Sequence, residues 1–399
     1  MKIKKILLAF LVSMLTFSVN ANTLPNIFYS YTSGTSGSFY VYEKINESGV
    51  YIQFRIYHNI DSNKNCDLWR MWEAYLVNYN GTSMTRFQQL LTSGENEFVW
   101  KSNRPNVGDF TGGYHGDERI DIHPTSNISF YADGVSVSTT SNIPLTACNS
   151  FYYLQNSTMH QTGTGGTDLG NSNYVPIADN PIECFHEKRT VFENKGYTCY
   201  NKVTWNTDVP VNLCYYGIFC VNRDISQQGS NQYGATAVFA SDGSNKLSSD
   251  KQQINFWNTT LGTTVVCNCS IVSLPFAPVL NTLIWDTTNY HKYYSKISST
   301  TAKAGDVWSM QATISFDYTA PTAGVESVST ENRVKVSVID DVLKVNGLYP
   351  HERFAIYNVS GLLLKDGNSN SNSFRTNSND LLIVKLELID GMQAIKLRV

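Results

Sequence analysis

The sequence predicts an all-β protein, a large jelly-roll or β-sandwich domain followed by a small C-terminal β-sandwich module. Three observations carry that prediction. Runs of β-branched and aromatic residues alternate with polar ones at a period of two. Gly, Asn, Asp and Ser punctuate those runs at short intervals. No stretch shows convincing helical periodicity. Of the 399 residues, 42% are hydrophobic and only 16% charged, the reverse of a disordered chain, so most of the length should fold. The net charge is −3 with no long basic run, which argues against nucleic acid as the main partner.

In chain order, Lys2, Lys4 and Lys5 precede the apolar stretch Ile6 to Val19, and Val19-Asn20-Ala21 is a small-residue cleavage site. Residues 1–21 therefore read as a removed secretory signal, too short for a membrane anchor. The first cysteine is Cys66, so no lipid attachment site follows the leader. Residues 22–318 form the main domain. Tyr40 to Lys44, Val50 to Tyr57, Ile120 to Ile122, Lys188 to Phe192, Tyr197 to Trp205 and Trp308 to Tyr318 read as strands. Asp67 to Leu76 fits a short helix or a strand equally. Residues 155–181 are rich in Gly, Ser, Thr and Asn and read as a long loop, either bordering a cleft or a solvated insertion. The apolar run Val265 to Trp285 contains Asn268, Pro275, Pro278 and Asn281, so it reads as buried strands and a turn. No membrane span is expected in the mature chain. Eight cysteines in an exported chain permit four disulfides, while Cys267 and Cys269, on one strand face, fit buried thiols or separate disulfides better than a metal site.

Residues 319–330 have linker composition, and residues 331–399 form a second unit. Its strands are Val334 to Ile339, Val342 to Val345, Arg353 to Val359, Leu362 to Leu364, Leu381 to Leu388 and Ala394 to Val399, with Gly367 to Asn379 as a loop. Val342-Leu-Lys-Val345, Phe354-Ala-Ile-Tyr-Asn-Val-Ser-Gly361 and the closing Gly391-Met-Gln-Ala-Ile-Lys-Leu-Arg-Val399 resemble the C-terminal sorting domain of the type IX secretion system of Bacteroidetes. Gln393 stands where that family usually has an aromatic. The resemblance implies the type IX secretion machinery as a partner and a secreted or outer-membrane surface location.

Three groups of residues suit chemistry. In Phe110-Thr-Gly-Gly-Tyr-His-Gly-Asp-Glu-Arg119, glycines flank Tyr114 and His115, and Glu118 and Arg119 follow. A loop pinned this way can present an imidazole and a phenol at a cleft, or simply be a turn with a satisfied histidine. The second group is a hairpin joined through Glu193-Asn-Lys-Gly196. Pairing Phe192 with Tyr197 places His186, Lys188 and Thr190 on one face with Cys199 and Asn201. That face suits a negatively charged substrate or a wet surface. In the third, Tyr290 to Lys296, Lys292 and Tyr294 point one way, and His291 and Tyr293 the other.

Together these supply parts for β-elimination on a uronic-acid polysaccharide: a base beside the carboxylate, cations or amides for the enolate, and an acid for the leaving oxygen. His115 or His186 serves as base, and Tyr114, Tyr293 or Tyr294 as acid. Lys188, Asn201, Lys292 or Arg119 neutralises the charge. The layout resembles jelly-roll polysaccharide lyases in architecture only, without a diagnostic signature. No nucleophile elbow, phosphate loop or His-Glu-x-x-His pattern is present, and no metal or cofactor is expected. A polysaccharide lyase is favoured over a glycoside hydrolase. The alternative is a non-catalytic glycan-binding or adhesin-like surface protein. Placement discriminates between them: a lyase needs His, Tyr and Lys converging in one groove, whereas a binder needs exposed aromatics.

Overall fold

In the computed structural model of the chain, the period-two runs become long antiparallel strands arranged in two facing sheets. The structure describes residues 24–61, 66–92, 98–103, 110–111, 123–161, 181–249, 252–320, 335–339 and 342–346, with shorter stretches on to residue 398. Two units are distinguished: Met1–Asn258 with Thr263–Asp317, and Thr259–Gly262 with Tyr318–Val399.

In the first unit, one sheet runs in the order Ile143–Cys148, Ile27–Thr32, Ser38–Lys44, Val50–Asp61, Cys66–Tyr79, Met84–Leu91, Val209–Asn222, Tyr290–Ala302, Leu280–Asp286 and Asn245–Ser249. The short strand Val99–Ser102 also pairs with Val209–Asn222. The second sheet runs Val135–Val137, His123–Ala132, Phe151–His160, Ile182–Phe192, Gly196–Trp205, Val307–Tyr318, Thr263–Ser273, Gln253–Asn258 and Gln228–Asn231. The two sheets join where Cys66 and Asp67 run parallel to His123 and Pro124. Asp67 to Leu76 is therefore strand throughout.

Aromatic side chains interlock between the inner faces. Phe39 meets Phe130 at 4.1 Å between ring centroids, Phe54 meets Phe192 at 5.3 Å, Trp100 meets Trp205 at 5.2 Å, and Tyr197 meets Phe219 at 5.8 Å. Tilted and edge-on rings at such separations add about 1 kcal/mol each beyond the area they bury. This interleaving explains why so many aromatics sit at alternate positions: each strand contributes one face to a shared layer.

The hairpin at residues 182–205 has the expected register. Phe192 pairs with Tyr197, Lys188 with Asn201 and His186 with Val203. Its two-residue turn holds Asn194 and Lys195 at φ of 57° and 59°, the left-handed pair that matches strand twist. Gly196 is required for space, because a Cβ there would overlap the Ile314 carbonyl oxygen of the adjacent strand. Glu43, from the opposite sheet, accepts hydrogen bonds from the Lys195 and Gly196 N–H groups at 2.6 and 2.8 Å. One buried carboxylate thus ties the turn to the facing layer.

The second unit contains a three-stranded sheet, Lys335–Ile339, Val342–Asn346 and Ser373–Arg375, and a four-stranded sheet, Leu363–Asn368, Arg353–Asn358, Leu381–Leu388 and Gly391–Arg398. Val336, Leu343, Val345, Phe354, Ile356, Leu382, Val384 and Leu386 form its core. Ser373–Arg375 lies inside a segment expected to be loop; it pairs with Val342–Lys344, and Phe374 packs against the core.

Of the alternatives open to the cysteines, Cys148, Cys184, Cys199, Cys214, Cys220, Cys267 and Cys269 are buried thiols. The strand expected at Ile120 to Ile122 lies outside the described residues, as do residues 162–180 of the expected long loop, while Phe151–His160 is strand. Among the described residues, no helix is long and apolar enough to cross a membrane.

Candidate functional site

Tyr114, His115, Glu118 and Arg119 lie outside the described residues. The hairpin candidates are described, and their face turns inward rather than toward a cleft or solvent. His186 is fully buried, packed against the Phe98 ring at 5.2 Å, with its Nε2 2.8 Å from Asn201 Oδ1. Burial pushes its pKa down to about 3, against the opposing effect of the Asn201 hydrogen bond. The ring is therefore neutral at ordinary pH and has no route to a polymer.

Lys188 is buried as well, and it has a structural task. Cys66–Tyr79 pairs with Met84–Leu91 only from Ala74 onward, and with His123–Ala132 only at Cys66 and Asp67. The Trp69 peptide sits in the gap between. Lys188 Nζ donates to the Trp69 carbonyl at 3.1 Å, and Gln155 Oε1 accepts from the Trp69 N–H at 2.7 Å. Gln155 and Lys188 are register partners, so one rung of the second sheet supplies both groups. Buried backbone groups need such partners, and among the described residues no ladder supplies them on the edge of Trp69 away from His58.

On Tyr290–Ala302 the expected alternation holds, but both faces are covered. Tyr293 faces the inter-sheet layer, stacks on Phe219 at 5.7 Å, and donates to the Gln252 carbonyl; burial raises its pKa. Tyr294 points to the opposite face, packed with Val99, Ile218 and Leu283, and donates to Asn245 Oδ1. Lys292, on that same far face, lies 5.6 Å from the Trp285 ring. Tyr293 thus cannot share a groove with Lys292 and Tyr294, and all three are nearly closed to solvent.

The sequence reading missed a cluster beside this strand. His291 Nδ1 lies 2.7 Å from Ser226 Oγ, and its Nε2 lies 3.1 Å from Asp286 Oδ1 and 3.0 Å from the Arg223 guanidinium. Asp286 Oδ2 accepts from the Ala240 and Ser241 N–H groups. Burial alone would raise the Asp286 pKa, but Arg223 and the two N–H donors hold it low. Burial, reinforced by Arg223, pulls His291 down to about 4. Ser226, His291 and Asp286 are fully buried, with Phe239 stacked on the imidazole at 3.8 Å. The set has the order of a nucleophile relay but no access; it fastens the loop carrying residues 239–241 to the sheet.

An accessible groove lies on the outer face of the second sheet, with a volume of about 510 Å³. Cross-strand register sets its surface in rows. Tyr131 and Tyr152 form the first row, which Val191 and the buried Thr198 continue beyond the groove, and Ser129, Leu154, Arg189 and Tyr200 form the second. Asn127, Asn156, Glu187 and Lys202 form the third, which Ser309 extends. Leu154 is 37% exposed, Tyr200 38% and Val272 63%, so this is an apolar surface offered to solvent, not a core face. Tyr131 and Tyr152 stack at 4.8 Å and 12°, and the Arg189 guanidinium lies 5.1 Å from the Tyr152 ring. Lys202 and Glu187 are paired at 3.0 Å, both half exposed, and such a pair adds about 0.5 kcal/mol. A flat array of rings, amides and hydroxyls can stack on sugar faces and bond their hydroxyl groups.

No protein-family model matches the chain, and no curated protein matches it. Among solved structures, the Slr1438 protein from Synechocystis sp. PCC 6803 matches at 8% identity and a TM-score of 0.39, covering 71% of this chain and 96% of that one. Heparinase III matches at 8% identity and a TM-score of 0.29, covering 91% of this chain and 41% of that one. A heparan sulfate lyase from Pedobacter heparinus matches at 9% and 0.26, covering 88% and 41%. The chain spans about two fifths of the length of these lyases. At this degree of likeness the matches carry no argument about activity.

Proposed function

We propose that this protein binds a polysaccharide or surface glycan on the outer face of its second sheet, without catalysing a reaction there. The single observation that carries the reading is the groove of about 510 Å³ in which Tyr200 and Leu154 stand exposed beside the stacked Tyr131 and Tyr152. Aromatic rings are large, rigid platforms that lose little entropy on binding, and amides beside them fix orientation. The inward burial of His186, Lys188 and Tyr293 weighs against β-elimination by those groups. The leader at residues 1–21 and the sorting-domain resemblance of residues 331–399 support export to the cell surface as part of the same reading.

The test is a panel of neutral and uronate polysaccharides, read twice: by affinity electrophoresis, and by the ultraviolet absorbance of an unsaturated sugar product. The reading expects retardation by at least one polymer, lost in Tyr200→Ala, with no absorbance rise. A rise that disappears in His115→Ala would instead establish lyase chemistry centred on that loop.

A further inference from the structure

We propose that the groove is built for an anionic glycan and that Arg189 is the residue that reads the negative group. This rests on the glycan-binding reading and adds the chemical class of the ligand. Among the described residues lining the groove, the charged side chains that point outward are Arg189, Lys202 and Glu187, with Lys188 buried, an excess of one positive charge on a chain whose net charge is −3. Glu187 is occupied by Lys202, with its two carboxylate oxygens 3.0 and 3.2 Å from Nζ. Arg189 has no carboxylate partner among the described residues. Its guanidinium is held by the Tyr152 ring, which rests on Tyr131 in turn. A guanidinium over a ring face leaves its N–H donors available to an anion, in the fork that matches a carboxylate or a sulfate.

Register supplies the rest. Leu154, Arg189 and Tyr200 are directly opposite one another on three neighbouring strands, about 10 Å from first to last, the scale of a disaccharide. One sugar ring stacks on Tyr200 while its acidic substituent, or that of its neighbour, meets Arg189. The amides of Asn127 and Asn156, one row along, take hydroxyl groups. Position sets the charge preference: among the described residues of the outer face, Arg189 lies without a carboxylate partner between Leu154 and Tyr200, the two exposed side chains that would hold the sugars.

The test uses the full chain and two matched pairs of polymers. Polygalacturonate is compared with its methyl ester, and dextran sulfate with dextran, each titrated calorimetrically at low and at high salt. The expected result is binding to one or both anionic polymers, at least tenfold weaker for the neutral counterpart and weakened by salt. Polygalacturonate alone would identify a carboxylate, and dextran sulfate alone a sulfate. Arg189→Gln should cost tenfold or more toward the anionic polymer, whereas Lys202→Gln should change it less than threefold. Equal affinity within each pair, an unaffected Arg189→Gln, or no binding to either anionic polymer would overturn the proposal. Binding of dextran alone, lost in Tyr200→Ala, would also overturn it while leaving the glycan-binding platform standing.

Discussion

Glu43→Gln is the substitution whose consequence follows most completely from the structure. The carboxylate accepts two backbone N–H groups of the facing hairpin, at 2.6 and 2.8 Å. Those bonds favour the charged form, but burial outweighs them, and nearby Glu193 adds repulsion, so the pKa is raised from 4.5 to about 7. A carboxyl that binds its proton more tightly in the native state stabilises the fold fully below pH 4.5. That contribution fades as the pH rises through 7. The size is about 3 kcal/mol between pH 4.5 and 8. Glutamine does not titrate, keeps one acceptor, and turns an NH2 toward the other donor, at a fixed cost of about 2 kcal/mol. His186 and His291, with pKa values lowered to about 3 and 4, act in the opposite sense, stabilising above pH 6.5 and losing that contribution as the pH falls. They are present in both proteins, so the difference between wild type and Glu43→Gln isolates Glu43. The assay is urea unfolding followed by tryptophan fluorescence, which reports the first unit because all 7 tryptophans lie within it. Wild type should be the more stable near pH 4.5, and its lead should shrink by about 3 kcal/mol, or reverse, by pH 8. A difference that stays constant, or widens, with rising pH would refute the argument.

Three other perturbations test the same reasoning. Gly196→Ala should destabilise the first unit by about 3 kcal/mol, since its Cβ meets a backbone carbonyl that cannot swing away; a loss under about 0.5 kcal/mol by urea unfolding would contradict the packing. Lys188→Met should cost about 2 kcal/mol by stranding the Trp69 carbonyl, yet leave polysaccharide affinity unchanged; lost affinity with intact stability would return Lys188 to the ligand. The seven buried thiols should resist a thiol reagent in the native protein and all react in urea, so native labelling at Cys184 or Cys267 would contradict the burial.

Much of the fold was legible because strand alternation is local and strong. The hairpin register followed from one turn, Glu193 to Gly196, and one pairing. Which face of that hairpin is buried was also within reach. Tyr197, Cys199, Val203 and Trp205 share a face with Asn201, and register places His186 and Lys188 on it too. An apolar set of that size marks a core face, and the polar residues among it are there to satisfy backbone groups. The strand Ile182–Phe192 hid this by itself, because its outward positions, Phe185, Glu187, Arg189 and Val191, are no more polar than its inward ones. The groove was illegible for a different reason. Tyr131, Leu154, Arg189 and Tyr200 come from four separate strands, and only their cross-strand alignment makes them neighbours. The Arg223, Ser226, Asp286 and His291 cluster likewise spans positions that no local pattern connects.

Hydroxyl-radical footprinting with and without bound polysaccharide tests the central claim most directly, because it reads side-chain exposure residue by residue. Protection of Tyr200 and Leu154, with Tyr233 and Trp285 unchanged, is the outcome the groove requires. Protection confined to Trp285, or to residues 112–122, with Tyr200 still fully oxidised, would place the ligand elsewhere and contradict it.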